Sequence, residues 1–222
     1  VSLKNKPIII STGMSTISEI NDAVEVVRST GNRNLALLHC NSAYPSTHSE
    51  VNLKFMNNLQ SLYQVPVGFS DHTTDLISSK TAIALGANII ERHFTLDKNM
   101  EGPDHILSSD KKEMKKLIDF KKNQNKFTSW FKKSNSSEQK KIKLILGDGI
   151  KKIQPNEYIT INSQKKSLYA KKFIKKGERF DSKNITIKGP AGGLLPKFID
   201  IILKRKSTMN IEKDEPITWK SF

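Results

Sequence analysis

The chain has 222 residues, enough for one large domain or two small ones, and no apolar run near the ~18–20 residues that cross a bilayer as a helix. Its net charge of +15 invites a nucleic-acid partner, but only five of the 37 basic residues are arginine. The lysines are scattered without interleaved aromatics, so solvated helix faces account for the charge better than a nucleic-acid groove. A single cysteine, Cys40, excludes an intramolecular disulfide; with no secretory signal after Val1, a cytoplasmic location is expected.

Residues 7–12 form a short β-branched run ended by Gly13 and read as a buried strand. Ser15 or Ser18 is expected to cap the next helix, with Glu19 in its first turn. Ile20, Ala23, Val24 and Val27 follow at helical spacing, before Gly31. Residues 35–40 read as a second strand. A loop containing Tyr44-Pro45 leads to a helix over 53–62. Strands at 65–69 and 88–91 bracket a helix over 74–85 that stops at Gly86, and a further helix starts at Asp110. Three of the four strand runs are apolar on both faces, as parallel strands covered by helices are.

Four such units cannot close an eight-stranded barrel. The expectation is therefore an open sheet or the C-terminal half of a TIM (β/α)8 barrel, and the start without methionine favours the half barrel. The expected organisation is a partial barrel over 1–126, a polar, lysine-rich linker over 127–165 and a small β-rich domain over 166–222.

His72 closes Val65-Pro-Val-Gly-Phe-Ser-Asp-His72, and His93 closes Asn88-Ile-Ile-Glu-Arg-His93. A strand, a helix and a strand in succession bring both strand ends to one edge of a parallel sheet, the edge where barrel chemistry sits. The spacing therefore proposes a two-histidine metal site. Two imidazoles leave the other positions of a bound ion open, unlike a closed structural zinc site. His39 and Cys40 read as packing and His48 as a solvated loop residue. His105 reads equally as structural or as lining the site. Glu91 with Arg92 reads as a charge pair fixing the strand end.

The motifs Pro7-Ile-Ile-Ile-Ser-Thr-Gly-Met14, Leu38-His-Cys-Asn-Ser-Ala-Tyr-Pro45, Gly68-Phe-Ser-Asp-His-Thr73, Glu91-Arg-His-Phe-Thr-Leu-Asp97 and Gly102-Pro-Asp-His105 resemble the sialic acid synthases, in family order. That family includes the N-acetylneuraminate, legionaminate and pseudaminate synthases. The tail from Ala170, with Lys176-Gly177 and Asn184-Ile-Thr-Ile-Lys188, resembles their SAF (antifreeze-like, β-clip) domain.

The resemblance implies a metal-dependent condensation of phosphoenolpyruvate with an N-acetylated amino sugar, giving a nine-carbon 2-keto sugar acid and phosphate. The acceptor would be N-acetylmannosamine or a 2,4-diacetamido-trideoxy hexose. The implied ligands of the divalent metal, Mn²⁺ or Mg²⁺, are His72 and His93. Ser11 and Ser70 match serines that hold phosphoenolpyruvate, Ser42 and Tyr44 match sugar contacts, and Asp104 matches a sugar contact able to join acid–base chemistry with His93. The implied assembly is a domain-swapped homodimer, with no nucleic-acid or membrane partner.

This sequence departs from the family at Ser42, where some members carry asparagine, and at Gly189, where some carry a substrate-binding arginine; Lys188 is adjacent. The family's phosphate-gripping lysines lie in the barrel half that does not match, so weak catalysis by this stretch alone is expected. The rival readings are another phosphoenolpyruvate-using barrel synthase and a non-catalytic carbohydrate- or partner-binding remnant.

Overall fold

The computed structural model describes residues 1–123 and 126–222. The chain divides into two compact units, Val1–Glu157 and Tyr158–Phe222. In the first, β1 (Ile8–Ser11), β2 (Leu35–Cys40), β3 (Val67–Asp71) and β4 (Ile90–Arg92) form one parallel sheet in sequence order. The helices α1 (Ile17–Ser29), α2 (Phe55–Tyr63) and α3 (Ile77–Ala84) make the crossovers, and α4 (Lys111–Lys122) follows β4. This is the expected half barrel, with β1 and β4 at its edges.

The two-residue period of the strands divides their side chains. Leu35, Leu37, Val67 and Phe69 enter the core with Val24 and Leu59 of the helices, and Ile8, Ile10 and Ile90 pack against it. Ile9 points to the opposite face and is 55% exposed. Gly68 marks a close approach on that face: a Cβ there would overlap the Ile89 carbonyl and the Leu38 side chain.

The helix starts follow capping chemistry. The α1 cap is Thr16 rather than Ser15 or Ser18: its hydroxyl accepts from Glu19 N–H, and the Glu19 carboxylate accepts from Thr16 N–H. The next residue, Ile17, then begins the helix, and Ile20, Val24 and Val27 face inward. Asp110 and Glu113 make the same box at α4.

The expected linker over 127–165 is mostly helix instead: α5 (Phe127–Lys133), α6 (Ser136–Leu146) and α7 (Tyr158–Gln164). Asn135 caps α6 in a box with Glu138, and Ile142 and Ile145 are fully buried. The backbone N–H groups of Leu53 and Lys54 donate to the carbonyls of Ile145 and Leu146. Trp130 of α5 donates its indole N–H to Thr81 Oγ1 at 3.3 Å. The helix α6 turns its lysines outward and buries a narrow apolar stripe of Ile142 and Ile145, so the composition resembles a linker while the inner face packs. The expected boundary at 126 adjoins residues 124 and 125, which lie outside the described residues.

In the second unit, β5 (Ser167–Ala170) and β6 (Ile185–Lys188) pair antiparallel from Ser167↔Lys188 to Ala170↔Ile185. Short bridges such as Ile174↔Ile211 and the helix α8 (Ile199–Ile202) close a small core around Leu168, Phe180, Ile202 and Ile217. No helix of the described residues is long and apolar enough to cross a membrane.

Candidate active site at the strand ends

The sheet register assembles the site. Ser11 of β1 lies opposite Leu38, Cys40 of β2 opposite Ser70, and Ser70 of β3 opposite Glu91 of β4. One step further, Asp71 opposes Arg92, and the next residues are His72 and His93. Alternation turns Ser70 and Glu91 to the concave face, Asp71 and Arg92 toward the helices, and the two histidines back to the concave face. An open cleft of about 250 Å³ results, lined by Ser70, His72, Glu91, Arg92 and His93.

The two imidazoles meet edge to face with ring centroids 5.5 Å apart. His72 is buried, and its Nδ1 lies 2.8 Å from the Asn41 carbonyl oxygen. That carbonyl can only accept, so Nδ1 carries the proton and Nε2 keeps its lone pair. Burial works against protonation of His72, but the contacts to Cys40 and Asn41 outweigh it and raise the pKa. His93 Nδ1 lies 3.8 Å from Asp104 Oδ2. The tilted Tyr44 ring stands 4.2 Å from His72 and 5.7 Å from His93, centroid to centroid. Desolvation, then the Cys40, Asp104 and Glu91 charges, raise the pKa of its phenol.

These donors fit a divalent ion held by two imidazoles with its other positions open to solvent or substrate. They do not fit a closed protein cage: among the described residues, no group of three or more His, Cys, Asp or Glu side chains gathers in metal-holding geometry.

The structure thus brings His72, His93, Tyr44, Ser70 and Asp104 to one rim. Ser70 donates its hydroxyl to Glu91 Oε1 at 2.6 Å. Ser42 is buried, its Oγ 3.6 Å from Cys40 Sγ, and it is not among the residues lining the cleft. Ser11 is exposed and lies close enough to Cys40 to share its electrostatic environment. Burial pushes the Cys40 thiol pKa up, but contacts to His72, Ser11 and Ser42 outweigh it and bring the net shift down. His105 is tied to Thr95 Oγ1 at 2.8 Å, a structural contact. His48 is not free in solvent but sits 3.2 Å from Asp75 Oδ1.

Arg92 pairs with Asp71 and not with its neighbour Glu91, which leaves Glu91 for the cleft. In the sequence Glu91 is hidden as a site residue because an adjacent Glu-Arg looks like a self-contained pair. Its place opposite Ser70 on alternating strands was the available signal. In the second unit, Lys188 beside Gly189 forms an ion pair with Asp214 and lies over the Tyr169 ring, 5.1 Å from its centroid.

The family model described as NeuB family matches residues 1–133, and that described as SAF domain matches residues 165–222. The N,N'-diacetyllegionaminic acid synthase of Campylobacter jejuni is 42% identical over 96% of this chain and 59% of its own length. A pseudaminic acid synthase of C. jejuni is 34% identical over 100% of this chain and 59% of its own. The crystal structure of the spore coat polysaccharide biosynthesis protein spsE of Bacillus subtilis superposes with a TM-score of 0.83 at 28% identity, over 100% of this chain and 62% of that one. The chain therefore spans about three fifths of these relatives' length. With the strand-end motifs and the half barrel in agreement, the chain belongs to the NeuB family and ends in an SAF domain.

Proposed function

We propose that this chain carries the metal-bearing barrel half and the SAF domain of a sugar-acid synthase. The reaction joins C3 of phosphoenolpyruvate to the aldehyde carbon of an open-chain acetamido sugar; water adds at C2, and C–O cleavage releases phosphate and a nine-carbon 2-keto acid. The observation that carries the reading is the convergence of His72, His93, Tyr44 and the Ser70–Glu91 pair on one cleft at the C-terminal edge of the sheet.

The proposed metal is Mn²⁺ or Mg²⁺ on His72 and His93, and when bound it supplies Lewis-acid polarisation of the aldehyde oxygen. The protein's own groups do the rest. The Asn41 carbonyl fixes the His72 tautomer, and Tyr44 shields both imidazoles on one side. Glu91, held by Ser70, is a carboxylate in position to take or orient a proton on the concave face. Asp104, half-exposed beside His93, faces where the sugar would enter. Because the relatives are named for different sugar acids, the acceptor is assigned only to the class of N-acetylated amino sugars.

In the same reading, the phosphate-holding cations come from the barrel half outside this stretch, and the protein is a homodimer in which each SAF domain covers the other subunit's barrel in the cytoplasm. A monomer in solution would overturn that assembly.

The test is phosphate release from phosphoenolpyruvate by the protein that carries this chain, with Mn²⁺ and either N-acetylmannosamine or a 2,4-diacetamido-trideoxy hexose. Metal-dependent release with one acceptor, abolished by His72→Ala, is expected. No release with either acceptor would overturn the proposal.

A further inference from the structure

Glu157, the last residue of the first unit, is a carboxylate with 1% exposure and no role in the chemistry above. An ionised carboxylate is buried at great cost unless strong donors replace its water. Three backbone N–H groups do so here. Oε1 accepts from Met14 N at 2.8 Å and from Ser42 N at 3.0 Å, and Oε2 accepts from Gln154 N at 2.9 Å. Met14 lies 143 residues away in sequence and Ser42 lies 115 away. Met14 is in the loop after β1, whose last residue is Ser11, and Ser42 is in the loop after β2, which also carries Tyr44.

The neighbours of Glu157 grip the same two loops. Lys151 Nζ donates to the Thr12 carbonyl at 2.8 Å, so a cation holds one side of the first loop and an anion the other. Asn156 Oδ1 accepts from Asn41 Nδ2 at 3.0 Å, and the Asn41 carbonyl is the partner of His72 Nδ1 at 2.8 Å. Met14 adopts a left-handed backbone, φ 52°, where a residue other than glycine needs outside support. A Cβ at Gly13 would overlap Ser42 Oγ, so the two loops also touch each other.

We infer that Glu157 is a positioning residue: with its neighbours it clasps the β1 and β2 loops at the spacing the substrates require. One arm, through Glu157, sets the loop that leaves β1 just after Ser11 and the loop of Tyr44. The other, through Asn156 and Asn41, orients His72. The chemistry explains the need for a carboxylate, since Glu157 accepts three N–H bonds on two oxygens. A glutamine has one accepting oxygen, and its NH₂ must then face a backbone N–H, donor against donor. The substrate part of this inference rests on the proposed function; the clasp itself does not.

The experiment compares Glu157→Gln, Glu157→Ala and Asn156→Ala with the wild type by three readouts. The first is amide hydrogen exchange at Met14 and Ser42, which requires no turnover. Both Glu157 variants should speed exchange there by about tenfold or more, while Leu37 and Leu38 of β2 stay unchanged. The second is Mn²⁺ affinity, which should fall in Asn156→Ala and stay within about twofold of wild type in Glu157→Gln. The third is steady-state kinetics. Glu157→Gln should raise KM for phosphoenolpyruvate or the sugar by about tenfold with a smaller change in kcat.

Unchanged exchange at Met14 and Ser42 would overturn the clasp whatever the activity. Faster exchange with unaltered KM values would overturn its role in substrate placement. A merely structural role would lower the melting temperature and change all three readouts together, also against the inference. If the wild type releases no phosphate with any acceptor, the proposed function fails, and the exchange experiment alone decides the clasp.

Discussion

Asp71 and Arg92 are register partners on β3 and β4, and their side chains form an ion pair with at most 1% solvent exposure. Each immediately precedes a site histidine. Arg92 also donates to Ser109 Oγ at 2.8 Å, the Thr73 carbonyl at 2.8 Å and the Asp75 carbonyl at 3.1 Å, while Ser79 donates to Asp71. The pair fixes the two strand ends beneath the imidazoles, so the spacing of His72 and His93 depends on a buried charge network. Removing one partner of such a pair strands the other charge. Asp71→Asn should cost about 3–5 kcal/mol in chemical denaturation, and Arg92→Lys should not be silent, because lysine cannot reproduce the fork. A cost below about 1 kcal/mol for Asp71→Asn would place the pair among weak surface bridges instead.

Glu91→Gln tests the cleft rather than the scaffold. The amide keeps an acceptor for Ser70 and nearly the same volume, so stability should move by less than about 1 kcal/mol. Turnover should fall by about 10²-fold or more if the carboxylate handles a proton. Steady-state kinetics beside a melting curve separates the two, and a fully active Glu91→Gln would remove Glu91 from the chemistry.

Gly13→Ala should act through the neighbouring loop. The added Cβ would overlap Ser42 Oγ and crowd Cys40 Sγ, so the loops after β1 and β2 must part. A loss of about 1–3 kcal/mol is expected by denaturant unfolding. Ser42→Gly in the same chain should return most of it, whereas no recovery would mean that the strain lies elsewhere.

His39 gives the protein an acid-sensitive core. It is buried between Phe55 and Phe69, with Nε2 on the Val51 carbonyl at 2.6 Å, and desolvation lowers its pKa to about 4. The unfolded chain protonates this histidine near pH 6.5, so between about pH 6.5 and 4 it binds a proton that the folded protein refuses. The stabilisation is complete above pH 6.5 and is lost as pH falls to about 4, by about 3 kcal/mol in all. Unfolding free energies from pH 7.5 to 4.5 should show a shallower slope in His39→Gln, which still offers Val51 a donor. Parallel slopes would contradict the assignment.

The sheet and its site were legible because their signals are local. Residues 35–40 read as a strand and are one, and the strand–helix–strand spacing of His72 and His93 placed both on one edge. The α5–α6 region was not legible. Its lysine-rich exposed face masks the stripe of Ile142 and Ile145, although the Asn135–Glu138 capping box was visible in the sequence. The contact of Glu157 with Met14 and Ser42 could not be read at all, since its bonds span more than a hundred residues and join loops with no periodicity. Charge pairing is hidden in the sequence for a related reason. Arg92 has Glu91 beside it in sequence, but strand alternation points the two to opposite faces, and the register delivers Asp71.

The two imidazoles are the proposed metal site, and Mn²⁺ titration followed by electron paramagnetic resonance tests it directly. The wild-type chain should bind one Mn²⁺, and His72→Ala and His93→Ala should each weaken binding by about 10²-fold or more without unfolding the protein. Equal Mn²⁺ binding by wild type and both variants, or no binding by a folded wild type, would contradict it.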